Sequence, residues 1–250
     1  MISKKAHIGV GCKIGEGAII NDNVIIGNNV TIGSYALIDN GARISDDVVI
    51  HHGAVLSSPP QDLKYKNEPT ELYVGKGTIV REYATLNRGT AQRYKTVIGE
   101  NCLFMAYSHA AHDNIIGNNV IAANCVSIAG HCEISDWVII GGLAGIKQFV
   151  KIGAHSLITS SLILVKDVPP FIIAGGKNVK YQGLNVIGLR RRGFTTERIN
   201  KIKSVYDILY HSGLNVSDAL KKIKDEFESE GDVKEIITFI ENSKYGIIKG

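Results

Sequence analysis

The segment His7–Ile38 reads HIGVGCKIGEGAIINDNVIIGNNVTIGSYALI, and isoleucine recurs in it at every sixth residue. From Ile2 to Leu164 in steps of six there are 28 positions, and only Asp62, Glu68 and Gln92 among them are polar. The residue two positions before each member of this series is mostly small. A period of six fits neither a helix nor an alternating strand, and it is typical of a parallel β-helix.

Each hexad predicts one short strand and one corner, so that three hexads, about 18 residues, close one triangular coil. The large residue of the series and the small residue behind it are expected to fill the bore. Glycine or asparagine follows many of the large residues, and we expect these positions to provide corners with permissive backbone dihedrals. The first five of them are Gly9, Gly15, Asn21, Gly27 and Gly33.

Two polar segments interrupt the repeat. They are residues 57–73, SSPPQDLKYKNEPTELY, and residues 90–97, TAQRYKTV. We expect the β-helix to eject both as loops, and loops on a rigid scaffold often carry function.

The period stops after Val168-Pro169-Pro170. The sequence therefore predicts a β-helix over residues 1–170 and a small C-terminal helical domain over residues 171–250. In this tail, Thr195 is expected to cap a helix that reaches His211, Ser217 to open a second helix, and Asp232, with Glu235 three residues on, to open a third.

Composition places few other constraints on the 250 residues. The formal charge is +4 and charged residues make up 21% of the chain, so neither disorder nor nucleic-acid binding is indicated. We expect no secretory signal, and no run of about 20 apolar residues is found in the sequence. The four cysteines show no CxxC spacing. We expect a cytoplasmic protein without stable membrane insertion.

Three of the eight histidines lie in SHAAHDNIIGNNVIAANCVSIAGHCEI, Ser108–Ile134. In a coil of about 18 residues, side chains 18 apart stack at the strand spacing of about 4.8 Å. These positions are out of phase with the core and are expected to cluster at an outer corner, on the surface. One predicted column contains His112, Gly130 and Gln148, and the adjacent one contains Asp113, His131 and Phe149.

Three interpretations of this cluster compete. A histidine beside a carboxylate is a general base, and a nearby glycine N–H could stabilise an oxyanion. Alternatively, His109, His112 and His131 could hold zinc, as in hexapeptide-repeat carbonic anhydrases. The third interpretation is a set of incidental surface side chains. The convergence of imidazole, carboxylate and glycine favours the general base.

The tail is basic. Between Lys177 and Lys203 there are eight lysine or arginine residues and one acidic residue, Glu197. A solvated basic face is one explanation of such a patch, and a phosphate-bearing substrate together with an acidic carrier protein explains it better. Few aromatic residues alternate with the charges, so nucleic acid is not expected as a partner.

Several motifs resemble one family, the acyl-carrier-protein-dependent UDP-N-acetylglucosamine O-acyltransferases, which catalyse the first step of lipid A biosynthesis. The hexad is shared by many transferases, whereas the combination of QDLKY, HxxHD and RRGF is specific. The matching segments are QDLKY (Gln61–Tyr65), HAAHD (His109–Asp113), AGH (Ala129–His131), IGG (Ile140–Gly142), QF (Gln148–Phe149), DVPPF (Asp167–Phe171) and RRGF (Arg191–Phe194).

The resemblance implies a left-handed β-helix and a homotrimer with active sites between subunits. It assigns His112 as the general base for the glucosamine 3-hydroxyl, Asp113 as its orienting partner and the Gly130 amide as the oxyanion donor. The acyl group would arrive on the phosphopantetheine of acyl carrier protein. The resemblance implies no other cofactor and no metal.

The resemblance also assigns a substrate-binding set, in which Arg191 would meet phosphate or the acidic carrier protein. This set is Asp62, Lys64, His109, His131, Gln148, Asn185, Arg191 and Arg192.

Departures from the family pattern leave the acceptor open. Lys147 and Asn178 replace histidines, and Ile187 stands where a glutamate often binds the nucleoside. The alternative acceptor is a 3-amino UDP-sugar, which would give an amide. Ser160 matches the floor of the acyl pocket, where some members have glycine. We expect its extra bulk to shorten the accepted chain.

Overall fold

The computed structural model describes all residues, 1–250, as 26 strands followed by four helices. The helices are α1 (Val186–Arg191), α2 (Thr196–His211), α3 (Val216–Glu226) and α4 (Gly231–Glu241). The strands are β1 (His7–Ile8), β2 (Lys13–Ile14), β3 (Ile19–Ile20), β4 (Ile25–Ile26), β5 (Thr31–Ile32), β6 (Leu37–Ile38), β7 (Ala42–Ile44), β8 (Val49–Ile50), β9 (Val55–Ser58), β10 (Glu71–Val74), β11 (Ile79–Val80), β12 (Thr85–Asn87), β13 (Lys95–Ile98), β14 (Leu103–Phe104), β15 (His109–Ala110), β16 (Ile115–Ile116), β17 (Ile121–Ala122), β18 (Ser127–Ile128), β19 (Glu133–Ile134), β20 (Ile139–Ile140), β21 (Gly145–Ile146), β22 (Lys151–Ile152), β23 (Leu157–Ile158), β24 (Ile163–Leu164), β25 (Ile172–Gly175) and β26 (Lys180–Leu184).

The strands form three sheets that the chain visits in turn. Sheet 1 has the order β1-β4-β7-β10-β13-β16-β19-β22, sheet 2 runs from β2 to β23 and ends with β25 and β26, and sheet 3 runs from β3 to β24. Every strand pair is parallel except β25–β26. This is the parallel β-helix predicted from the six-residue period.

Three edges separate the sheets. The 3/1 edge, between sheets 3 and 1, includes residues 111–114, 129–132 and 147–150. The 1/2 edge includes residues 117–120, 135–138 and 153–156, and the 2/3 edge includes residues 123–126, 141–144 and 159–162. Each edge therefore carries one vertical series of corners, and side chains on different edges point away from one another.

The bore is filled as the sequence predicts. The second residue of most strands is buried, and so is the small residue two positions before it, as Ile116 and Asn114 illustrate. One apolar cluster of 59 buried residues runs from Ala18 to Ile248 and so includes both coils and helices. Because β25 also extends sheet 2 beyond Pro170, the division into domains 1–170 and 171–250 stays a prediction.

The corner glycines serve a purpose that differs from the expected one. Gly9, Gly15, Gly27 and Gly33 have no left-handed φ. A Cβ on Gly33 would instead lie 2.5 Å from the backbone nitrogen of His52 in the next coil. These glycines are needed because successive coils approach closely, and the expectation of permissive dihedrals at them was wrong.

The left-handed backbone lies two residues further on and recurs at every sixth residue in the upper coils. Side chains at these corners point outward and stack from coil to coil. The series is Asn101, Tyr107, Asp113, Asn119, Cys125, His131, Trp137, Leu143, Phe149, His155 and Ser161, with φ from 52° to 67°. The residues proposed as catalytic neighbours, Asp113 and His131, belong to it.

Both interruptions of the repeat form loops at the 3/1 edge, with bounds that differ from the predicted ones. The first loop is residues 59–70, because residues 57–58 and 71–73 are in β9 and β10. The second loop is residues 88–94, because Lys95, Thr96 and Val97 are in β13. The second loop therefore lies directly below the corner that carries His112, and the first loop lies one coil further down.

In the tail, the predicted cap of α2 is confirmed, since the Thr195 side chain accepts a hydrogen bond from the Arg198 N–H. The predicted starts of the next two helices were wrong. Asn215, not Ser217, caps α3, because its side chain accepts from the Asp218 N–H. α4 begins at Gly231 without a side-chain cap, and Asp232 pairs with Arg198 instead. None of the four helices has the length and apolar composition that crossing a membrane requires.

Candidate active site

The two predicted histidine columns exist at the 3/1 edge. The His131 N–H donates to the His112 carbonyl (3.0 Å), and the Phe149 N–H donates to the Gly130 carbonyl (3.2 Å). The rings of His131 and Phe149 stack with centroids 4.6 Å apart, and those of His112 and His131 meet edge to face at 5.0 Å. The spacing of 18 residues therefore brings these side chains together as expected.

The His112–Asp113 pair is buried, whereas the sequence predicted a cluster on the surface. Asp113 is fully buried and His112 is 5% exposed. His112 Nδ1 lies 2.7 Å from Asp113 Oδ2. A carboxylate acceptor at this distance favours the tautomer that carries its proton on Nδ1, which leaves Nε2 to accept a proton from a substrate.

The second loop covers this pair, and its contribution was missed at the level of sequence. Thr90 donates from its backbone N–H to Asp113 Oδ1 (3.0 Å) and from its hydroxyl to Oδ2 (2.6 Å). The Asp113 N–H donates to Thr96 Oγ1 at 2.8 Å. Burial acts to raise the pKa of Asp113, but the hydrogen bonds from His112 and Thr90 outweigh it and hold the pKa below the ordinary value. Asp113 is therefore a carboxylate at neutral pH.

His131 and His109 lie on either side of the pair. His131 Nε2 is 3.7 Å from Asp113 Oδ2, and His109 Nδ1 is 2.7 Å from Thr85 Oγ1. Burial is the main reason that the pKa of each imidazole is lowered, although the Asp113 charge opposes this at His131. Both histidines are therefore predominantly neutral at neutral pH and can accept or donate a hydrogen bond to a substrate.

Gly130 lies over the imidazole of His112. A Cβ at this position would be 2.7 Å from His112 Cε1 and 2.9 Å from Nε2. The Gly130 N–H has no acceptor within the protein. A glycine is required here because a Cβ would overlap the imidazole, and its N–H is left free to donate to a bound substrate.

The remaining predicted residues at this edge are Asp62, Lys64 and Gln148. The Lys64 N–H donates to Asp62 Oδ1 (2.9 Å) within the first loop, and the charge of Asp62 is near enough to raise the pKa of His131 against the effect of burial. Gln148 and its neighbour Lys147 are exposed. The structure therefore places the first loop beside the histidine cluster.

Asn185, Arg191 and Arg192 lie elsewhere, at the 1/2 edge. The Asn185 side chain caps α1 by accepting from the Gly188 N–H and donates to the His155 carbonyl (2.9 Å). The Arg192 guanidinium lies 5.1 Å from the centroid of the Trp137 ring. Within one chain, the structure does not bring these three residues to His112.

Trp137 and His155 complete this second cluster, although sequence reasoning did not single them out. They are 18 residues apart, so the repeat itself could have revealed the column. Their rings stack at 6.4 Å, and together with Arg191 and Arg192 they line one open cavity. Burial and then the Arg192 charge lower the pKa of His155 to about 4, which keeps it neutral beside the guanidinium.

Ser160 lies on the 2/3 edge, away from both clusters. It lines a cavity of about 800 Å³ that also contacts Asn178 and the apolar side chains of Leu162, Ile163 and Val165. Ile187, the departure near the predicted nucleoside position, is 68% exposed on α1. The predicted site residues thus fall on all three edges of one prism.

The three residues that come close enough to share a metal ion are His112, Asp113 and His131, whose ligand atoms lie within 4.8 Å of one another. The predicted alternative set contained His109 in place of Asp113. Since His112 Nδ1 already contacts the carboxylate, the arrangement has the chemistry of a general base held by its partner.

Known proteins resemble this chain over its whole length. A family model described as UDP-N-acetylglucosamine O-acyltransferase, domain 2, matches residues 167–248. An acyl-[acyl-carrier-protein]–UDP-N-acetylglucosamine O-acyltransferase of Burkholderia orbicola is 43% identical over 82% of this chain and 80% of its own. A UDP-N-acetylglucosamine acyltransferase structure from Bacteroides fragilis superposes with a TM-score of 0.94 at 40% identity, covering 100% of both chains. One from Campylobacter jejuni gives 0.94 at 35% identity, covering 100% of this chain and 97% of its own.

A parallel β-helix with a buried histidine–aspartate pair and a free glycine amide at one edge defines a hexapeptide-repeat acyltransferase, and its coil is the left-handed form. Within that class, the agreement at both the sequence and the structural level is with one group of enzymes. The chain belongs to the family of acyl-[acyl-carrier-protein]–UDP-N-acetylglucosamine O-acyltransferases.

Proposed function

We propose that this enzyme moves a 3-hydroxyacyl chain from acyl carrier protein to the 3-position of UDP-N-acetylglucosamine, the first step of lipid A biosynthesis, with His112 as the general base. The observation that carries this proposal is the buried His112–Asp113 pair, 2.7 Å apart, beneath the Gly130 amide. Family membership supplies the acyl donor and the acceptor.

The chemistry follows from the orientation of the imidazole. His112 Nε2 removes the proton from the glucosamine 3-hydroxyl, and the oxygen attacks the thioester carbonyl carbon. The Gly130 N–H stabilises the resulting oxyanion. The tetrahedral intermediate collapses, the C–S bond breaks, and the imidazolium returns its proton to the phosphopantetheine sulfur. Asp113 remains ionised throughout and stabilises the imidazolium.

A homotrimer would complete the site. The three edges of one prism separate His112 from Arg192 and from Ser160, so we propose that an adjacent subunit supplies the second set. Asp62, Lys64, His109, His131 and Gln148 would then contact the sugar. Asn185, Arg191 and Arg192 of the neighbouring copy would contact the nucleotide.

We assign the acyl chain and its carrier protein to the cavity beside Ser160 and the lysines around it. The cavity beside Ser160 is partly apolar and is bordered by Lys166, Lys177, Lys180 and Lys249. Such a border suits an acidic carrier protein that delivers a chain into an apolar slot. We propose a cytoplasmic location, which four free cysteines support.

The decisive experiment measures acyl transfer from a panel of acyl carrier protein thioesters to UDP-N-acetylglucosamine with chelator present. We expect wild type to retain activity and His112→Ala to lose it by about 10² or more. If the enzyme transfers the acyl chain only to the 3-amino sugar nucleotide, the natural acceptor is the amine and not the hydroxyl. Activity that chelator abolishes would instead favour a metal-dependent reaction, for which His112, Asp113 and His131 are the candidate ligands.

A further inference from the structure

The second loop, residues 88–94, reaches across three successive coils at the 3/1 edge. It leaves the coil of β12 and β13, contacts Asp113 in the coil above, and reaches Glu133 one coil higher. The contacts to Asp113 and Glu133 come from the backbone N–H and hydroxyl of Thr90 and from the guanidinium of Arg93. The hydrogen bonds of Thr90 occupy both carboxylate oxygens of Asp113, so they fix its orientation.

Arg93 fixes the other end of the loop. Its guanidinium donates to Glu133 Oε1 at 2.5 Å and to the Asp113 carbonyl at 3.3 Å. Glu133 is the direct strand partner of Lys151, and Lys151 Nζ lies 3.0 Å from Glu133 Oε2. Burial acts to raise the pKa of Glu133, but hydrogen bonds from Arg93 and Lys151 outweigh it, so this carboxylate stays ionised.

The energetic weight of the Arg93–Glu133 pair is small, because both side chains are about one third exposed and exposed ion pairs contribute little to stability. Its geometric effect is larger. The two apolar side chains of the loop, those of Ala91 and Tyr94, are exposed, so polar contacts hold the loop. The N–H groups of Thr90, Gln92 and Tyr94 donate to Asp113 Oδ1, Thr90 Oγ1 and the Thr90 carbonyl. The Arg93 guanidinium ties this turn to the two coils above it.

We propose that the second loop is a clamp on Asp113, in which Thr90 and Arg93 are positioning residues for the acyl transfer. The clamp holds the Asp113 carboxylate against His112 Nδ1, and thereby holds Nε2 toward the substrate hydroxyl. The kinetic part of this inference rests on the proposed function. Neither residue touches the reacting atoms.

The first test is kinetic. Thr90→Val removes the hydroxyl at nearly equal volume. We expect kcat to fall by about 10², because Asp113 no longer holds the His112 imidazole in the orientation that proton transfer from the substrate hydroxyl requires. KM for the acceptor should change little. The acidic limb of the kcat/KM profile should move to lower pH, since a carboxylate held at Nδ1 stabilises the imidazolium. The other charged or titratable groups near this centre are unchanged in the variant; they are His109, His131, Asp62, Arg93 and Glu133.

Two variants separate positioning from folding. Thr90→Ser keeps the hydroxyl and should restore most of kcat. Thr78→Val removes another buried threonine hydroxyl, one that lies on a different edge, donates to the Gly99 carbonyl at 2.8 Å and accepts from the Cys102 N–H at 3.1 Å. It should lower thermal stability without moving the pH profile. A Thr90→Val enzyme with the wild-type profile, or with the same losses as Thr78→Val, would overturn the proposal.

The second test needs no substrate. Arg93→Gln should accelerate amide hydrogen exchange in residues 88–94 while leaving the neighbouring strands protected. Arg93→Gln combined with Thr90→Val should be no slower in catalysis than Thr90→Val alone, because both act through Asp113. Unchanged exchange in the loop would refute the clamp. If wild type lacks transferase activity, the proposed function fails, but the exchange measurement still decides whether the clamp exists.

Discussion

Gly130 shows how one residue constrains the whole catalytic centre, because it lies against the imidazole of His112. The imidazole lies so close beneath the Gly130 backbone that even a methyl group would overlap it. The ring cannot move aside freely, because its Nδ1 is bonded to a carboxylate that is itself held by Thr90. Glycine is therefore required at position 130 because a Cβ would be too close to the ring. Its backbone conformation is not the reason, since its φ is not left-handed.

At this scale we expect Gly130→Ala to lower kcat by roughly 10², because it displaces both the base and the oxyanion-binding amide. Steady-state kinetics beside circular dichroism would measure the effect. Gly145→Ala is the matched control, since its Cβ would meet only Ile163 Cγ1 at 3.9 Å. An alanine at position 130 that leaves kcat unchanged would contradict the assignment of this amide.

At the scale of the corner, two kinds of backbone position alternate. One lies against the backbone of the next coil, and where the approach is as close as at Gly33 there is no room for a Cβ. The other has left-handed φ and points outward, and it accepts residues as large as Trp137 and Phe149. The strain of such a conformation is borne because two flanking strands pair with the coils on either side and fix the corner between them.

This distinction predicts opposite responses to substitution. Gly33→Ala should cost about 1–3 kcal/mol, because a backbone neighbour cannot move away from the new methyl group. Asn119→Gly, at a left-handed corner with φ 57°, should change stability by less than about 1 kcal/mol, since relief of strain offsets the entropy of the unfolded chain. Denaturant unfolding would measure the free energy of unfolding of both variants. A larger loss of stability in Asn119→Gly than in Gly33→Ala would contradict this interpretation.

At the scale of the molecule, the prism separates residues that one reaction needs. His112 is on the 3/1 edge, the Arg192 cluster on the 1/2 edge and Ser160 on the 2/3 edge. Assembly of three chains around an axis would place one edge of each subunit beside another edge of its neighbour, and the proposed sites would then be shared.

Subunit mixing tests this arrangement. We expect His112→Ala and Arg192→Ala each to be inactive alone. If they are unfolded and refolded together in equal amounts, three quarters of the trimers are mixed and each has one intact site of three, so about one quarter of wild-type activity should return. Light scattering would establish the trimer independently. No recovery from a mixture of confirmed trimers would place both residues in sites within a single chain.

The repeat by itself determined the architecture, because a six-residue apolar period can fill a bore only if the chain coils into three short strands per turn. It also determined the histidine columns, since a fixed coil length turns a spacing of 18 into a vertical contact. The cap of α2 at Thr195 was likewise local, and local hydrogen bonding is visible in sequence.

Only the tertiary structure decided the rest. Asp113 is buried because a loop that departs from the repeat folds back over it, and no period describes such a loop. Thr90 and Arg93 therefore carried no sequence signal for their roles. Likewise, the close approach that requires Gly33 and Gly130 depends on the backbone or ring one coil away, and the separation of His112 from Arg192 depends on which edge each coil presents.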